Sequence, residues 1–285
     1  MDLNMKHSSL PAALLLVLLL AGCSEQQVMT EASPGASSAS EARASDSASD
    51  EPRSERNGPM TIVVFGASGR IGGLITQEAI DRGHTVVGVS RDPEKLAFEG
   101  ENFSGTSADL SDVQSVRRAI SGANAVIVSV SGIGKSNRPE DSTTAVAART
   151  MVEALTGDEN APQVIQIGGA SSMYDNVDDI VASYPFPAPE GSRRRGLLFG
   201  QVVALETYEA STIPWTVLTP PPVIIGYPPG GSTGVTSRGY RTATESFVLG
   251  EDGEPSPVTV IDLAKAAVDE AENKAFVGKR FTVGI

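Results

Sequence analysis

A glycine-rich turn, Gly66-Ala-Ser-Gly69-Arg-Ile-Gly72, carries the clearest chemistry in this 285-residue sequence. It follows a run of β-branched and aromatic residues, Thr61 to Phe65, and opens a segment with helical periodicity. The first glycine permits a tight turn, the second lets a phosphate approach the backbone, and the third lets helix and strand pack closely. The N–H groups that start the helix are free to bind phosphates. The predicted dinucleotide-binding residues here are Gly66, Ala67, Ser68, Gly69, Arg70, Ile71 and Gly72.

The end of the second predicted strand, Thr85 to Val89, indicates which dinucleotide is bound. NAD-binding folds place an acidic residue there to hold the ribose 2′-hydroxyl, whereas this chain has Ser90 followed by Arg91. The guanidinium of Arg91, together with Arg70 in the turn, suits a 2′-phosphate. We therefore expect NADP(H) to be preferred over NAD(H). The alternative for each arginine is an ordinary solvated surface residue.

Three polar residues after the fifth predicted strand, Ser171, Ser172 and Tyr174, are the candidates for substrate contacts. Ligands of open α/β sheets bind at this carboxyl edge. The alternative is a serine-rich loop that bonds to its own backbone. The run Arg193 to Arg195 suits an anionic substrate or lipid headgroup, although a solvated run of loop charges is the favoured interpretation.

Composition excludes several other functions. The formal net charge of −13 makes nucleic acid a poor partner. A single cysteine excludes an internal disulfide and a thiolate zinc cluster, and with only two histidines nothing indicates a metal site. His84 precedes the second strand, reads as a strand-edge residue and has no partners for a nucleophilic triad.

The elements that position these residues alternate between strand and helix, which predicts an α/β fold with a doubly wound parallel sheet. Helices are expected from Ile71 to Gly83, from an Asp112 cap to Ile120, and over Ser142–Leu155 and Leu197–Ser211. Strands are expected over Ala125–Val130, Val164–Ile167 and Trp215–Leu218. The stretch from Tyr240 breaks this rhythm, with short strands, an Asp262-capped helix from Leu263 to Glu272 and a final strand Arg280–Val283. It is predicted to form a small substrate-side lobe.

The N-terminal residues are predicted to form a targeting signal. A basic start at Lys6, a leucine-rich run and the tetrad Leu20-Ala-Gly-Cys23 form a secretory signal. The apolar run is shorter than the ~20 residues of a transmembrane helix. The tetrad resembles the bacterial lipobox, which implies lipidation of Cys23, and Ser24 resembles the signal for the outer membrane. We expect a signal peptide over residues 1–22, a disordered tether over 23–58, and the dinucleotide-binding domain over 59–285.

A family resemblance covers nearly all of residues 60 to 285. The run from Thr61 to Leu96 resembles the opening of the NmrA-like atypical short-chain dehydrogenase/reductases, particularly their NADH-flavin reductase group. The resemblance implies that Asp109 and Leu110 lie beside the adenine and that Val130, Ser131 and Gly132 lie by the nicotinamide ribose. Val164–Tyr174 and Trp215–Pro222 are similar to the family's substrate segment and its proline loop over the nicotinamide.

Standard short-chain dehydrogenases use Tyr-x-x-x-Lys for proton transfer, and this pair is missing. The residues four positions after the five tyrosines are Asp178, Ala188, Thr212, Gly231 and Thr244. The usual positions fall near Leu198 and Val202. We therefore expect a lipid-anchored, periplasm-facing reductase that passes hydride to a flavin, quinone or similar planar acceptor. The alternatives are a non-catalytic nucleotide sensor or docking module, and an epimerase-like enzyme with a tightly held cofactor.

Overall fold

Strands and helices alternate along the chain in the computed structural model, which describes residues 58–182, 187–227 and 234–285. The strands are β1 (Thr61–Phe65), β2 (Thr85–Val89), β3 (Phe103–Thr106), β4 (Ala125–Val128), β5 (Gln163–Ile167), β6 (Trp215–Thr219), β7 (Ile224–Ile225), β8 (Arg241–Ala243), β9 (Val258–Thr259) and β10 (Lys279–Gly284). The helices are α1 (Arg70–Asp81), α2 (Val113–Ala119), α3 (Thr143–Leu155), α4 (Val177–Ala182), α5 (Arg193–Glu209) and α6 (Val260–Asn273). The expected signal peptide, Cys23 and all but the last residue of the tether lie outside the described residues.

Eight strands form one sheet in the order β3-β2-β1-β4-β5-β6-β10-β8. All neighbours run parallel except β8, which is antiparallel to β10. The order reverses at β1, because β2 lies on one side of it and β4 on the other. The predicted doubly wound α/β fold is confirmed, and its switch point lies beside the glycine turn.

Helices cover both faces of the sheet, which explains why its central strands are apolar throughout. In β1, Ile62 and Val64 pack with α1 and α6, whereas Val63 and Phe65 pack in a second core with α3 and α5. Both sets of side chains are buried. Burial on both faces removes the polar alternation that a half-exposed strand would show.

Local capping signals set several helix ends. Asp112 caps α2 by accepting a hydrogen bond from the Gln114 backbone N–H at 2.9 Å, as expected. Gly83 follows the end of α1 with φ +85°, a conformation that favours glycine. Asp262 is not the cap of the last helix. Thr259 caps it instead, by accepting from the Asp262 backbone N–H at 3.0 Å, so α6 starts at Val260.

Three further expectations differ from the structure. The run Arg193–Arg195 is the first turn of α5 and not a loop, because the Ser192 hydroxyl oxygen caps the helix by accepting from the Arg195 backbone N–H at 3.2 Å. β4 ends at Val128, before Val130. The last helix and strand do not belong to a separate lobe, since β10 lies in the main sheet beside β6 and α6 packs in the first core.

Two elements had no strong sequence signal. β3 is a four-residue edge strand whose central residues, Ser104 and Gly105, are exposed, so it lacks an apolar pattern. α4 is six residues long with Ile180 as its buried residue. Within the described ranges, no helix combines the length and apolar character needed to cross a membrane.

Candidate functional site

A cleft of about 860 Å³ opens at the carboxyl ends of β1, β4, β5 and β6. Its wall begins at the glycine turn, passes the ends of the strands and reaches the segment Pro220–Tyr227. The lining includes Gly66, Ser68, Gly69, Arg70, Ile71, Ser90, Arg91, Leu110, Val130, Ser131, Gly132, Gly169, Ser171, Arg194, Leu198, Gln201, Pro220, Pro221, Pro222, Ile224 and Tyr227. Ligands of doubly wound sheets bind at this switch point.

The glycine turn is packed so tightly that two of its glycines have no room for a side chain. Gly66 has φ +83°, and a Cβ there would lie 2.2 Å from the Ser129 carbonyl oxygen. A Cβ on Gly72 would lie 2.1 Å from the Gly66 carbonyl oxygen. The Gly69 backbone N–H donates to that same oxygen at 2.8 Å and closes the turn. The backbone therefore forms the bare cradle that a pyrophosphate requires, with the start of α1 behind it.

The turn residues divide between the cleft wall and its support. Gly66, Ser68, Gly69, Arg70 and Ile71 line the cleft. Ala67 does not, because its side chain is buried in the first core. Gly72 is not part of the wall, and its missing side chain lets the first turn of α1 approach the backbone of Gly66 and Ala67.

The end of β2 presents hydroxyls and a guanidinium to the cleft. The Ser90 hydroxyl donates to the Ser68 hydroxyl oxygen at 2.9 Å, and both residues line the wall with Arg91. Arg91 is exposed and makes no hydrogen bond or ion pair with the described residues. Arg70 is placed differently, because its Nη2 donates to the Gly226 carbonyl oxygen at 2.5 Å. The sequence analysis expected Arg70 beside Arg91 at a 2′-phosphate, whereas in this structure the Arg70 guanidinium binds a backbone carbonyl of the segment after β6.

Four of the five residues placed at the adenine and nicotinamide ribose by the resemblance line the cleft: Leu110, Val130, Ser131 and Gly132. Asp109 does not line it. One carboxylate oxygen of Asp109 accepts hydrogen bonds from the Ser111 hydroxyl at 2.7 Å and the Ser111 backbone N–H at 2.8 Å. These hydrogen bonds lower the pKa of Asp109. Asp109 therefore orders the loop after β3.

The three substrate-contact candidates are separated. Ser171 lines the cleft, but its hydroxyl donates to the Leu198 carbonyl oxygen in α5 at 2.8 Å. The Ser172 hydroxyl donates to the Gly169 carbonyl oxygen at 2.9 Å, and its oxygen lies 3.1 Å from the Thr219 hydroxyl. The Tyr174 ring packs on Phe247 at 5.7 Å, and burial raises the pKa of Tyr174. Ser172 and Tyr174 lie outside the cleft wall. The hydroxyls of this loop are therefore not arranged together to contact a substrate in the cleft.

Gln201 on α5 is a polar cleft residue that sequence reasoning missed. Its Nε2 donates to the Thr144 hydroxyl oxygen at 3.3 Å, while the Thr144 hydroxyl donates to the Val130 carbonyl oxygen at 3.3 Å. The Gln201 Oε1 atom is buried and has no partner among the described residues. A buried acceptor left unpaired costs about 1–3 kcal/mol. Its one signal in the sequence was its position beside Val202, the expected lysine position. The contact of Gln201 with Thr144 depends on the packing of α3 against α5, which the sequence alone did not reveal.

Titratable groups are scarce along the cleft. Of the residues described in its wall, the ionisable ones are Arg70, Arg91, Arg194 and Tyr227. The wall thus concentrates positive charge in an acidic chain, which favours an anionic ligand. Among its described residues the wall offers neither a carboxylate nor an imidazole as a general base.

His84 is not among the residues of this wall and directly precedes β2, as expected from the sequence. It is buried at the amino end of β2, with Nε2 at 2.9 Å from the Glu272 carboxylate. Its Nδ1 accepts from the Met60 backbone N–H at 3.2 Å, so in the neutral imidazole Nε2 carries the proton. His84 therefore joins β2 to α6.

The parallel sheet, the bare glycine turn and the cleft at the switch point define a Rossmann-type dinucleotide-binding domain. A family model for NAD(P)H-binding matches residues 66–274, and the chain belongs to this NAD(P)H-binding family.

Solved structures share this fold. A Burkholderia pseudomallei chain named as an exported protein is 25% identical with a TM-score of 0.60, and the match covers 79% of this chain and 100% of that one. A Bacteroides thetaiotaomicron chain named as an epimerase is 27% identical with a TM-score of 0.61, covering 79% and 97%. A Streptococcus pneumoniae chain named as an NADH-flavin reductase is 24% identical with a TM-score of 0.62, covering 79% and 98%, and shows the fold alone.

Proposed function

We propose that this chain is a lipid-anchored, NADPH-preferring reductase that transfers hydride to a flavin, a quinone or a similar planar acceptor. The observation that carries the proposal is the composition of the cleft. Its described wall combines a phosphate-binding turn with a strand-end region of prolines, glycines and apolar side chains, and it lacks an acid–base pair.

The missing acid–base pair limits the reaction. Reduction of an isolated carbonyl needs a positioned proton donor, and Leu198 occupies the wall near the expected tyrosine position. A bound reduced nicotinamide supplies two electrons as hydride. Flavins and quinones take up that hydride and receive their proton from solvent, so the protein needs only to bind, orient and desolvate the reactants.

The NADPH preference rests on the end of β2. Ser68 and Ser90 supply hydroxyls and Arg91 supplies a charged donor, so this region suits a 2′-phosphate. An acidic residue that would repel the phosphate is missing from the described cleft wall.

The proposed location is the periplasmic face of a bacterial outer membrane, with lipid attached to Cys23. It is supported by the signal pattern, the lipobox-like tetrad and Ser24. The exported-protein name of the Burkholderia pseudomallei structure, which is 25% identical, agrees with this location. Several acyl chains, at about 0.8 kcal/mol per buried CH₂, give stable anchoring.

The proposed function can be tested on the chain from Ser24 to Ile285. Calorimetric titration of NADPH and NADH gives the nucleotide preference, and absorbance at 340 nm follows NADPH oxidation with riboflavin phosphate or a soluble quinone. We expect tighter binding of NADPH and acceptor-dependent oxidation. Absence of binding by both nucleotides would contradict the proposal.

A second candidate is a non-catalytic nucleotide sensor or docking module. It is favoured by the hydrogen bonds of Ser171 and Ser172, whose hydroxyl protons are committed to backbone carbonyls. Nucleotide binding without turnover of either acceptor would support this candidate over the reductase.

The epimerase-like alternative is consistent with the name of the Bacteroides thetaiotaomicron structure, which is 27% identical. Its prediction is different, because an epimerase of this kind keeps its nucleotide through the reaction. Nucleotide that co-purifies with the chain and resists exchange would favour it.

A further inference from the structure

Arg70 joins two parts of the cleft wall that lie far apart in sequence. It is the first residue of α1, and its Nη2 donates to the Gly226 carbonyl oxygen at 2.5 Å across 156 residues. Gly226 belongs to the segment Pro220–Tyr227, which supplies Pro220, Pro221, Pro222, Ile224 and Tyr227 to the wall. We call this segment the proline wall.

The conformation of Gly226 makes this contact possible. Gly226 has φ +83°, and a Cβ there would lie 2.8 Å from Val235 Cγ2 and 3.2 Å from Val260 Cγ1. Backbone strain and crowding therefore both favour glycine at this position. Its carbonyl is held in place for the Arg70 guanidinium.

The proline wall is attached to the rest of the domain on two sides. On one side, β7 pairs with β9, Ile224 opposite Val258, immediately before α6. On the other side, the wall is held by the Arg70 hydrogen bond. On the first side the Val258 backbone N–H also donates to the Val223 carbonyl oxygen at 3.2 Å, and Ile224 packs against the first core. The Arg70 hydrogen bond joins the wall to the start of α1, so we expect it to set the position of the wall relative to the glycine turn.

Arg70 has no carboxylate partner among the described residues, and its Nε is buried without a hydrogen bond. Arginine with a carboxylate or phosphate usually forms paired hydrogen bonds, which the Gly226 carbonyl cannot offer. The Arg70 guanidinium therefore binds the backbone carbonyl of Gly226 in place of an anionic group.

We propose that Arg70 is a positioning residue that holds the proline wall to the glycine turn, so that NADPH and NADH enter a formed cleft. The inference rests on the proposed nucleotide binding. This role differs from binding of a 2′-phosphate in its effect on affinity. A contact with that phosphate would strengthen the binding of NADPH alone, whereas a formed wall strengthens the binding of both nucleotides.

The first test compares the affinities of NADPH and NADH by calorimetry for Arg70→Met and Arg70→Lys. Loss of a charged hydrogen bond is expected to weaken both nucleotides by the same factor, about tenfold, in Arg70→Met. Arg70→Lys retains a donor and should recover part of the affinity. Loss of NADPH affinity alone, or no loss, would overturn the proposal.

Arg149→Met is the matched control, because Arg149 is an exposed helical arginine outside the cleft wall. It should bind both nucleotides as the unaltered chain does. An equal loss in Arg149→Met would assign the effect to overall charge and overturn the role of Arg70.

Hydrogen exchange gives a readout that needs no nucleotide. In Arg70→Met, the amides of Val223 to Tyr227 should exchange faster than in the unaltered chain, while α6 exchanges at the same rate. Unchanged exchange in the proline wall would overturn the proposal. An unaltered chain that binds neither nucleotide would refute the proposed function, and exchange would still decide whether Arg70 holds the wall.

Discussion

The proposed preference for NADPH depends on individual side chains at the end of β2. The Ser90 hydroxyl is oriented by Ser68, and Arg91 lines the same wall without a described partner. Holding this charged group without a partner costs little because it is solvated. It is therefore available to pair with a ligand.

Arg91→Ala is predicted to weaken NADPH binding by about tenfold or more and to leave NADH binding unchanged. A charged hydrogen bond contributes about 1.5–3 kcal/mol, and each 1.4 kcal/mol is a factor of about ten. Calorimetric titration of both nucleotides measures the change. Equal weakening of NADPH and NADH would show that Arg91 shapes the site without reading the phosphate.

Among the elements, α1 packs closely against the backbone of the glycine turn that precedes it. Gly72 and Gly73 are neighbours in the first turns of α1, but a Cβ would lie 2.1 Å from backbone at Gly72 and 3.4 Å from backbone at Gly73. The first distance forces the turn to move, whereas the second is an ordinary contact.

Gly72→Ala is therefore predicted to destabilise the domain by about 1–3 kcal/mol and to weaken both nucleotides. Gly73→Ala should stabilise it by about 0.5–1 kcal/mol, since alanine is the better helix former. Denaturant unfolding of the two variants measures the difference. Equal stability of the two variants would contradict the close approach of α1 to the glycine turn.

The last turn of α6 carries a buried carboxylate away from the cleft. Glu270 accepts hydrogen bonds from Gln163 Nε2 at 2.6 Å, from the Thr216 hydroxyl at 2.9 Å and from the Phe276 backbone N–H at 3.1 Å. Burial nevertheless raises the pKa of Glu270 above its ordinary value of 4.5, because these donors do not fully replace water. The carboxylate joins α6 to β5, β6 and the turn before β10.

This raised pKa predicts a pH dependence of stability. Between pH 4.5 and the raised pKa, the folded state binds more protons at Glu270 than the unfolded state does. Its contribution to the free energy of unfolding therefore falls as pH increases through that window. Unfolding of the unaltered chain and Glu270→Gln from pH 4 to 7 measures it, and we expect the difference, unaltered minus variant, to decrease. A constant difference would contradict the raised pKa.

For the molecule as a whole, the net charge of the chain and the charge of the described cleft wall have opposite signs. The chain carries a net charge of −13, yet the described cleft wall has arginines and no acidic residue. This distribution concentrates positive potential where an anionic nucleotide binds.

Cys23→Ala is predicted to abolish lipid attachment, because the chain has one cysteine and a thioether-linked lipid has no other site. Labelled palmitate incorporation in a Gram-negative host, followed by mass spectrometry of the N-terminal peptide, measures this. Ser24→Ala is the control and should retain the lipid. Label in Cys23→Ala would refute the proposed anchor, as would its absence from the unaltered chain.

The sequence by itself determined the features that depend on neighbouring residues. The apolar run of β1, the glycine turn and the Asp112 cap were all predicted, because burial on both faces, backbone freedom and local hydrogen bonding leave their mark within a few positions. The fold class followed from the order of such segments.

Only the tertiary structure decided which distant groups meet. It paired Arg70 with Gly226, placed Gln201 beside Thr144, gave the cap of α6 to Thr259 and added the edge strand β3. These contacts depend on how helices and loops pack over the completed sheet, and residue types at short spacing do not specify that packing. The contact of Arg70 with Gly226 is an example, because it joins two segments of the cleft wall that lie 156 residues apart.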